Sequence, residues 1–403
     1  MIKQSISDLS DDRYQGKRVF VRVDFNVPIQ DGKIREDYRL RRAIPTIEYL
    51  SQRGAKVIVA SHLGKPKGKP IPELSLKPVA ERLTQILRVP AVRFIEHVVG
   101  KPVEKVVNAL NSGDVILLEN LRFDSGEESN DPEFCQQLRS LGDLYVNDAF
   151  GTMHRAHAST YGVAQLYPLR LAGFLVSKEM RALAQIRDDP ARPLTVVVGG
   201  IKIQDKLSAL KTLIPKADHV LLGGGIAYTF LTAKGLSMGD SPVEQEFLPW
   251  AKEMLAIHGE KIDLPRDHVI TRDLQTPTDF KIVHGAIPDG FRGVDIGRKT
   301  IQPYTRHLIK GGGTIFWNGP VGAWEIDEFA EGTVDIARAI ALAHWRGTMT
   351  VIGGGDTVAA LHRAEIMETE VTHVSTDGGA ALRFIGGEDL PGLSVLTDLT
   401  REG

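Results

Sequence analysis

A single cysteine, Cys135, stands among 403 residues, so no intramolecular disulfide can form, and the Cys/His spacing of a zinc site is missing. A buried apolar role in a reducing compartment is expected for it. Long apolar runs are missing too. Nothing approaches the ~20 residues that span a bilayer, and the opening "MIKQSISDLSDDRYQGK" lacks the apolar core of a secretory signal. A cytoplasmic location is therefore expected. The chain also lacks an excess of either charge: 49 basic and 51 acidic residues leave a formal net charge of -2, which argues against attachment to nucleic acid or an anionic membrane by charge alone. Any basic site must be local. Finally, there is no G-x-x-x-x-G-K-S/T loop and no G-x-G-x-x-G followed by an acid ~20 residues on, so neither a P-loop nor a dinucleotide fingerprint applies.

What is present is a repeated alternation. Short β-branched runs recur: "RVFVRV" near 18, "KVIVA" at 56, "DVILLE" at 114, "DLYVN" at 143, "LTVVVGG" at 194, "HVLLGG" at 219, "TIFWNG" at 314 and "TMTVIGG" at 348. Continuous rather than alternating apolar runs suit strands covered on both faces of a parallel sheet. Amphipathic stretches of helical length lie between them, such as 37–54 and 327–345. The expected class is α/β, with two Rossmann-like lobes whose parallel sheets are flanked by helices. Length supports two lobes, because one core rarely serves so long a chain. The charged helical segment "SKEMRALAQIRDDPARP" places a boundary between 170 and 192.

In such sheets ligands gather beyond the carboxyl ends of the strands. In the first half those ends carry "DFN" (24–26), "SHLGKPKGK" (61–69), "ENLRF" (119–123) and "NDAFGTMHRAH" (147–157). Any one of their cations reads most simply as a solvated surface charge. Four strand ends together point instead to a basket in which Arg39, His62, Lys65, Arg122 and Arg155 converge on one anion, a small phosphorylated acid matched by guanidinium forks.

The second half ends its strands with glycine: "VGGIKIQDK" (198–206), "LGGGIAYTF" (222–230), "WNGPVGAWE" (317–325), "IGGGDT" (352–357) and "STDGGA" (375–380). Glycine between strand and helix lets backbone amides approach a phosphate. Lys202 and Lys206, four apart, would share a face if a helix begins near Gln204. Asp356 is expected either to cap the helix it opens or to ligate magnesium beside a nucleotide phosphate. An anion basket and a nucleotide cradle are the two halves of a phosphoryl-transfer site, which predicts a kinase with domain closure.

Taken in order, "RVDFNVP", "SHLGKP", "LLENLRF", "VNDAFGTMHRAHAS", "GGIKIQDK", "LGGGIAYTFL", "FWNGPVGAWE" and "IGGGDT" resemble the phosphoglycerate kinase family over nearly the whole chain. That resemblance implies transfer between 1,3-bisphosphoglycerate with ADP and 3-phosphoglycerate with ATP, with Mg2+ carried by the nucleotide. It implies a phosphoglycerate site at Asp24, Phe25, Asn26, Arg39, His62, Leu63, Gly64, Lys65, Arg122 and Arg155. Arg39, Lys202 and Lys206 would be catalytic: Arg39 and Lys202 on the migrating phosphoryl, Lys206 on nucleotide phosphates. Gly293 would lie near the adenine, Glu325 on the ribose and Asn318 by the nucleotide and its metal. Gly354, Gly355, Asp356 and Thr357 would hold phosphate and magnesium, with Asp356 the metal ligand. The implied organisation is a monomer with a phosphoglycerate domain at 1–170, a hinge helix at 171–190, a nucleotide domain at 191–385 and a tail, 386–403, returning to the first domain.

Four positions depart from the family's pattern. Lys65 stands in place of an arginine, and Ile201 in place of a small residue beside the cradle. Asp377 replaces a glycine, adding charge near the phosphates, and Arg383 falls in a usually acidic stretch. A catalytically silent relative that binds nucleotide or phosphoglycerate is the alternative these changes favour. A nicotinamide-dependent dehydrogenase is the other, and it lacks its fingerprint.

Overall fold

The computed structural model describes residues 3–88, 91–276 and 278–399. The chain divides into two compact units, Met1–Arg181 with Asp389–Gly403, and Ala182–Glu388.

In the first unit, β1 (Arg18–Val23), β2 (Lys56–Ala60), β3 (Val92–Ile95), β4 (Val115–Leu118), β5 (Leu144–Asp148) and β6 (Arg170–Ala172) form one sheet in the order β3-β4-β2-β1-β5-β6. Every pairing is parallel. Strands β1, β2, β4 and β5 are buried along nearly their whole length, which is why their sequences read as unbroken apolar runs. Val19, Val21, Val57, Val59 and Leu117 face a core shared with Leu40, Ala43 and Ile47 of the helix Tyr38–Gln52.

The second unit repeats the design. Strands β7 (Leu194–Val198), β8 (His219–Leu222), β9 (Ile262–Asp263), β13 (Thr314–Asn318), β14 (Met349–Gly353) and β15 (His373–Val374) align in parallel as β9-β8-β7-β13-β14-β15. Trp317 is fully buried in the central strand, and its indole N–H donates to the Gly319 carbonyl at 2.9 Å. Two small sheets depart from the all-parallel expectation: here β10 (Asp267–Thr271), β11 (Phe280–His284) and β12 (Arg292–Ile296) make a separate antiparallel sheet, β11-β10-β12, and in the first unit Ile29–Gln30 pairs antiparallel with Lys33–Ile34.

The helix Phe174–Asp188 runs from the first unit into the second. The final segment belongs to the first unit, where Lys3 Nζ donates to the Leu396 carbonyl at 3.0 Å and pairs with Asp398 at 2.8 Å. Gly392 N–H donates to Met153 O at 2.9 Å. No helix among the described residues is long and apolar enough to cross a membrane.

Candidate active site

In the first unit, the ends of β1, β2 and β4 and the loop after β5 bring cationic groups together. Asp24, just past β1, holds Arg39 by an ion pair of 2.6 Å and receives the Asn26 N–H at 3.1 Å. Asn26 Oδ1 accepts from Gly64 N–H at 2.9 Å, joining the loops after β1 and β2. Phe25 is buried, with its N–H donating to Ser61 Oγ at 2.8 Å. Asn120 fixes Leu63 from both sides, accepting its N–H at 3.1 Å and donating to its carbonyl at 2.7 Å. Arg122 is buried, donates to Gly64 O at 2.6 Å and lies 3.1 Å from Glu128. Arg155 Nε donates to His154 at 3.0 Å. Lys65 is exposed on the same loop.

His62 lies among these groups and is almost wholly buried. Burial, then the guanidinium groups of Arg22, Arg122, Arg155 and Arg39, hold its pKa well below the ordinary histidine value, so the ring is neutral at pH 7. Burial and neighbouring arginines likewise push His157 down to about 4. A neutral histidine among guanidinium groups marks a field built for an anion. Sequence reasoning missed Arg22, although it lies inside the "RVDFN" string; it is 1 % exposed and lies beneath the basket.

The second unit contains a cleft of about 830 Å³, within the range of ~300–1,000 Å³ usual for small-ligand sites. Gly200, Ile201, Lys202 and Lys206 line one part, and Gly293, Val294, Glu325 and Asp356 others. The glycines are required by contact between main chains. A Cβ on Gly199 would lie 2.0 Å from Pro320 O, and Gly319, at φ +89°, closes on Gly199 from the other side. Gly354, at φ +103°, packs against Gly378, whose Cβ would fall 2.5 Å from its Cα. The loops after β7 and β13 therefore meet backbone to backbone, as do those after β14 and β15.

Asn318 ties the loops to a cation: its Nδ2 donates to Gly353 O at 2.7 Å, and its Oδ1 accepts from Lys206 Nζ. Burial pushes the Lys206 ammonium down to about 8, opposed by Asp205 and Asp356. Gly293 N–H donates to Ser241 Oγ at 2.9 Å, and any Cβ there would strike the Tyr228 hydroxyl. Tyr228, Leu274 and Trp324 supply apolar wall that the glycine motifs did not announce.

Two expectations are corrected. Lys202 precedes the 3-10 turn Gln204–Lys206 and the helix Leu207–Lys216, so the two lysines share the cleft but no helical face. Asp356 is not an N-cap: Gly354 occupies that position of the helix Gly355–Arg363, and Asp356 is exposed in its first turn. Thr357 is buried, donating to Gly353 O at 2.8 Å and accepting Gly319 N–H at 2.8 Å, so its hydroxyl fastens two loops.

The departures also find places. Ile201 is 66 % exposed on the cleft wall rather than packed into the loop. Asp377 caps the helix Gly378–Ile385, accepting Ala380 N–H at 2.8 Å. Arg383 is exposed, 4.0 Å from Glu388.

A basic basket at the carboxyl ends of one doubly wound sheet, and a glycine-walled cleft with two lysines and an aspartate at those of another, place this chain among the α/β phosphotransferases. The model of the family described as phosphoglycerate kinase matches residues 7–388. Phosphoglycerate kinases of Leptospira biflexa (46 % identical, covering 96 % of this chain and 97 % of that protein) and Chloroflexus aggregans (47 %, covering 99 % and 100 %) are among its relatives. The solved phosphoglycerate kinase of Coxiella burnetii superposes with a TM-score of 0.85 at 38 % identity, and that of Pyrococcus horikoshii with 0.82 at 33 %, each over 98 % of both chains. The chain belongs to the phosphoglycerate kinase family.

Proposed function

We propose that the chain catalyses reversible, magnesium-dependent phosphoryl transfer between 1,3-bisphosphoglycerate with ADP and 3-phosphoglycerate with ATP. The observation that carries this reading is the pairing of an arginine basket around a neutral histidine with a separate glycine-walled cleft holding Lys202, Lys206 and Asp356.

In the direction of ATP consumption, Arg122, Arg155, Lys65 and His62 bind 3-phosphoglycerate, while Arg39, aligned by Asp24, faces the transferring group. A carboxylate oxygen forms the new bond to the terminal phosphorus, and the bond to the bridging oxygen breaks, leaving its electron pair on ADP. No proton moves, so no general base is needed. Lys206, Asn318 and the amides around Gly354 and Gly355 orient the nucleotide phosphates, with Gly293 and Glu325 toward the base and ribose. Lys202 and Arg39 stabilise the phosphoryl in flight. A magnesium-bound nucleotide fits: Asp356 offers an exposed carboxylate, and no cluster of three or more His, Cys, Asp or Glu able to hold a metal alone occurs among the described residues, as suits an ion that arrives with phosphates. Bound there, magnesium would neutralise phosphate charge.

The reading includes a phosphoglycerate domain within residues 1–170, a nucleotide domain within 191–385, a hinge in the intervening segment and closure that expels water. It also includes a monomer in the cytoplasm, which fits the lone buried cysteine. Nucleotide and phosphoglycerate binding by calorimetry, each with magnesium omitted in turn, tests the two-site assignment. Loss of MgATP binding on Lys206→Ala with 3-phosphoglycerate binding retained is expected; the converse loss would overturn it.

A further inference from the structure

Beneath the arginine basket runs a directed chain of hydrogen bonds. Arg22 and Glu127 are 1 % and 0 % exposed. Arg22 Nε donates to Ser159 Oγ at 2.7 Å. With Arg22 as donor, the single hydroxyl proton of Ser159 goes to Glu127 Oε1 at 2.6 Å, and Ser159 N–H reaches Oε2 at 2.9 Å. Arg22 Nη1 donates to Val23 O, and Nη2 lies 3.2 Å from His62 Nδ1.

A guanidinium has no acceptor to offer. Nδ1 of His62 must therefore accept, and the single proton of the neutral ring sits on Nε2. The nearest carboxylate does not compete: Asp24 Oδ1 is 3.9 Å from Nδ1 and already takes Asn26 N–H. Among the described residues, the contacts of the ring are made at Nδ1 and none at Nε2.

We propose that Arg22, braced by Ser159 and Glu127, is a positioning residue that fixes His62 as the Nε2–H tautomer, so that the ring presents an uncharged donor to the bound phosphoglycerate. The inference rests on the basket being the phosphoglycerate site. It gives the buried members of "RVDFN", "GEES" and "HRAHAS" one shared task, and it explains why a histidine stands where another cation would fit: a neutral donor orients an oxygen without adding charge to four arginines.

The test is 15N NMR of the full chain labelled at histidine, with H62Q identifying the resonances. From pH 6 to 8, His62 is expected to show a protonated Nε2 and an unprotonated Nδ1; a protonated Nδ1 would overturn the proposal without any variant having to fold. In R22M the two tautomers should mix, and KM for 3-phosphoglycerate should rise about tenfold or more while KM for MgATP holds, the loss expected for one hydrogen bond to a charged partner. An unchanged tautomer in R22M would contradict the role of Arg22. H62Q, whose amide nitrogen can stand in for Nε2, should retain more phosphoglycerate affinity than H62N, and the reverse order would count against a donor at Nε2. If 3-phosphoglycerate leaves the His62 resonances unmoved, the reading of the basket fails, and the donor role with it.

Discussion

At the scale of residues, the proposed mechanism divides one task between Lys202 and Lys206. Lys206 is held by Asn318 and half-buried, whereas Lys202 is exposed in the cleft, free to follow a moving group. Lys202→Ala should therefore lower kcat roughly 100-fold or more while raising the nucleotide KM only a fewfold, since it removes a contact made chiefly in the transition state. Equal losses in steady-state kinetics would make Lys202 a binding group only. Lys206 also sets a pH limit. With its pKa at about 8 in the free protein, kcat/KM for MgATP should fall as pH rises through 8, whereas kcat, measured on a complex whose phosphates restore the proton, stays level to about pH 9. On the acid side His62 is already neutral, so no acid limb near the free histidine value of ~6.5 is expected. A single-group loss there would remove His62 from the role of uncharged ligand.

At the scale of elements, the loops after the strands hold the proposed site, and their tolerances differ. Gly319 sits at φ +89° with a Cβ position 2.6 Å from Gly199 O. Gly319→Ala should therefore cost about 2 to 3 kcal/mol of stability and disturb the nucleotide cleft, read by denaturant unfolding and by MgATP affinity. Asp377 belongs to another class. Its carboxylate caps a helix, so Asp377→Gly, which restores the family's residue, should lower stability by only about 0.3 kcal/mol and leave turnover within roughly twofold. A large rise in kcat would show instead that its charge hinders the reaction.

The central parallel strands were legible in the sequence because burial on both faces writes an uninterrupted apolar run. The sheet β11-β10-β12 was not: β11 is mostly exposed, so no run marks it. Two-residue edge strands such as His373–Val374 are too short to leave a period. Much of the candidate site was legible for a topological reason, since polar and glycine residues right after buried runs fall at strand ends. What stayed hidden depends on tertiary partners: the inward turn of Arg22, and the use of the Thr357 hydroxyl to fasten two loops.

At the scale of the whole molecule, buried titratable groups should leave stability roughly level between about pH 4 and 6.5, where raised acids and lowered histidines offset one another, and lower it as pH rises further. Burial pushes Asp148 up to about 7 and Asp295 up to about 8. An acid whose folded pKa is raised favours the fold when protonated, so this contribution is complete below ~4 and is lost as pH rises through 7 and 8. Buried His157 and His268, both pushed down to about 4, act oppositely: they cost stability as pH falls from ~6.5 toward 4. Asp295→Asn should flatten the alkaline side of a plot of denaturant midpoint against pH, and an unchanged slope would show that Asp295 does not titrate there.

The proposed function requires the basket of one unit and the cleft of the other to serve one reaction. The most direct test is formation of 1,3-bisphosphoglycerate from 3-phosphoglycerate and MgATP, drawn forward by glyceraldehyde-3-phosphate dehydrogenase and followed as loss of NADH, with each substrate and magnesium omitted in turn. Turnover of tens per second or more, within the ~1–100 s⁻¹ usual for kinases, and dependent on every component, is the predicted result. Folded protein that binds MgATP yet gives no turnover would contradict it and identify a silent relative.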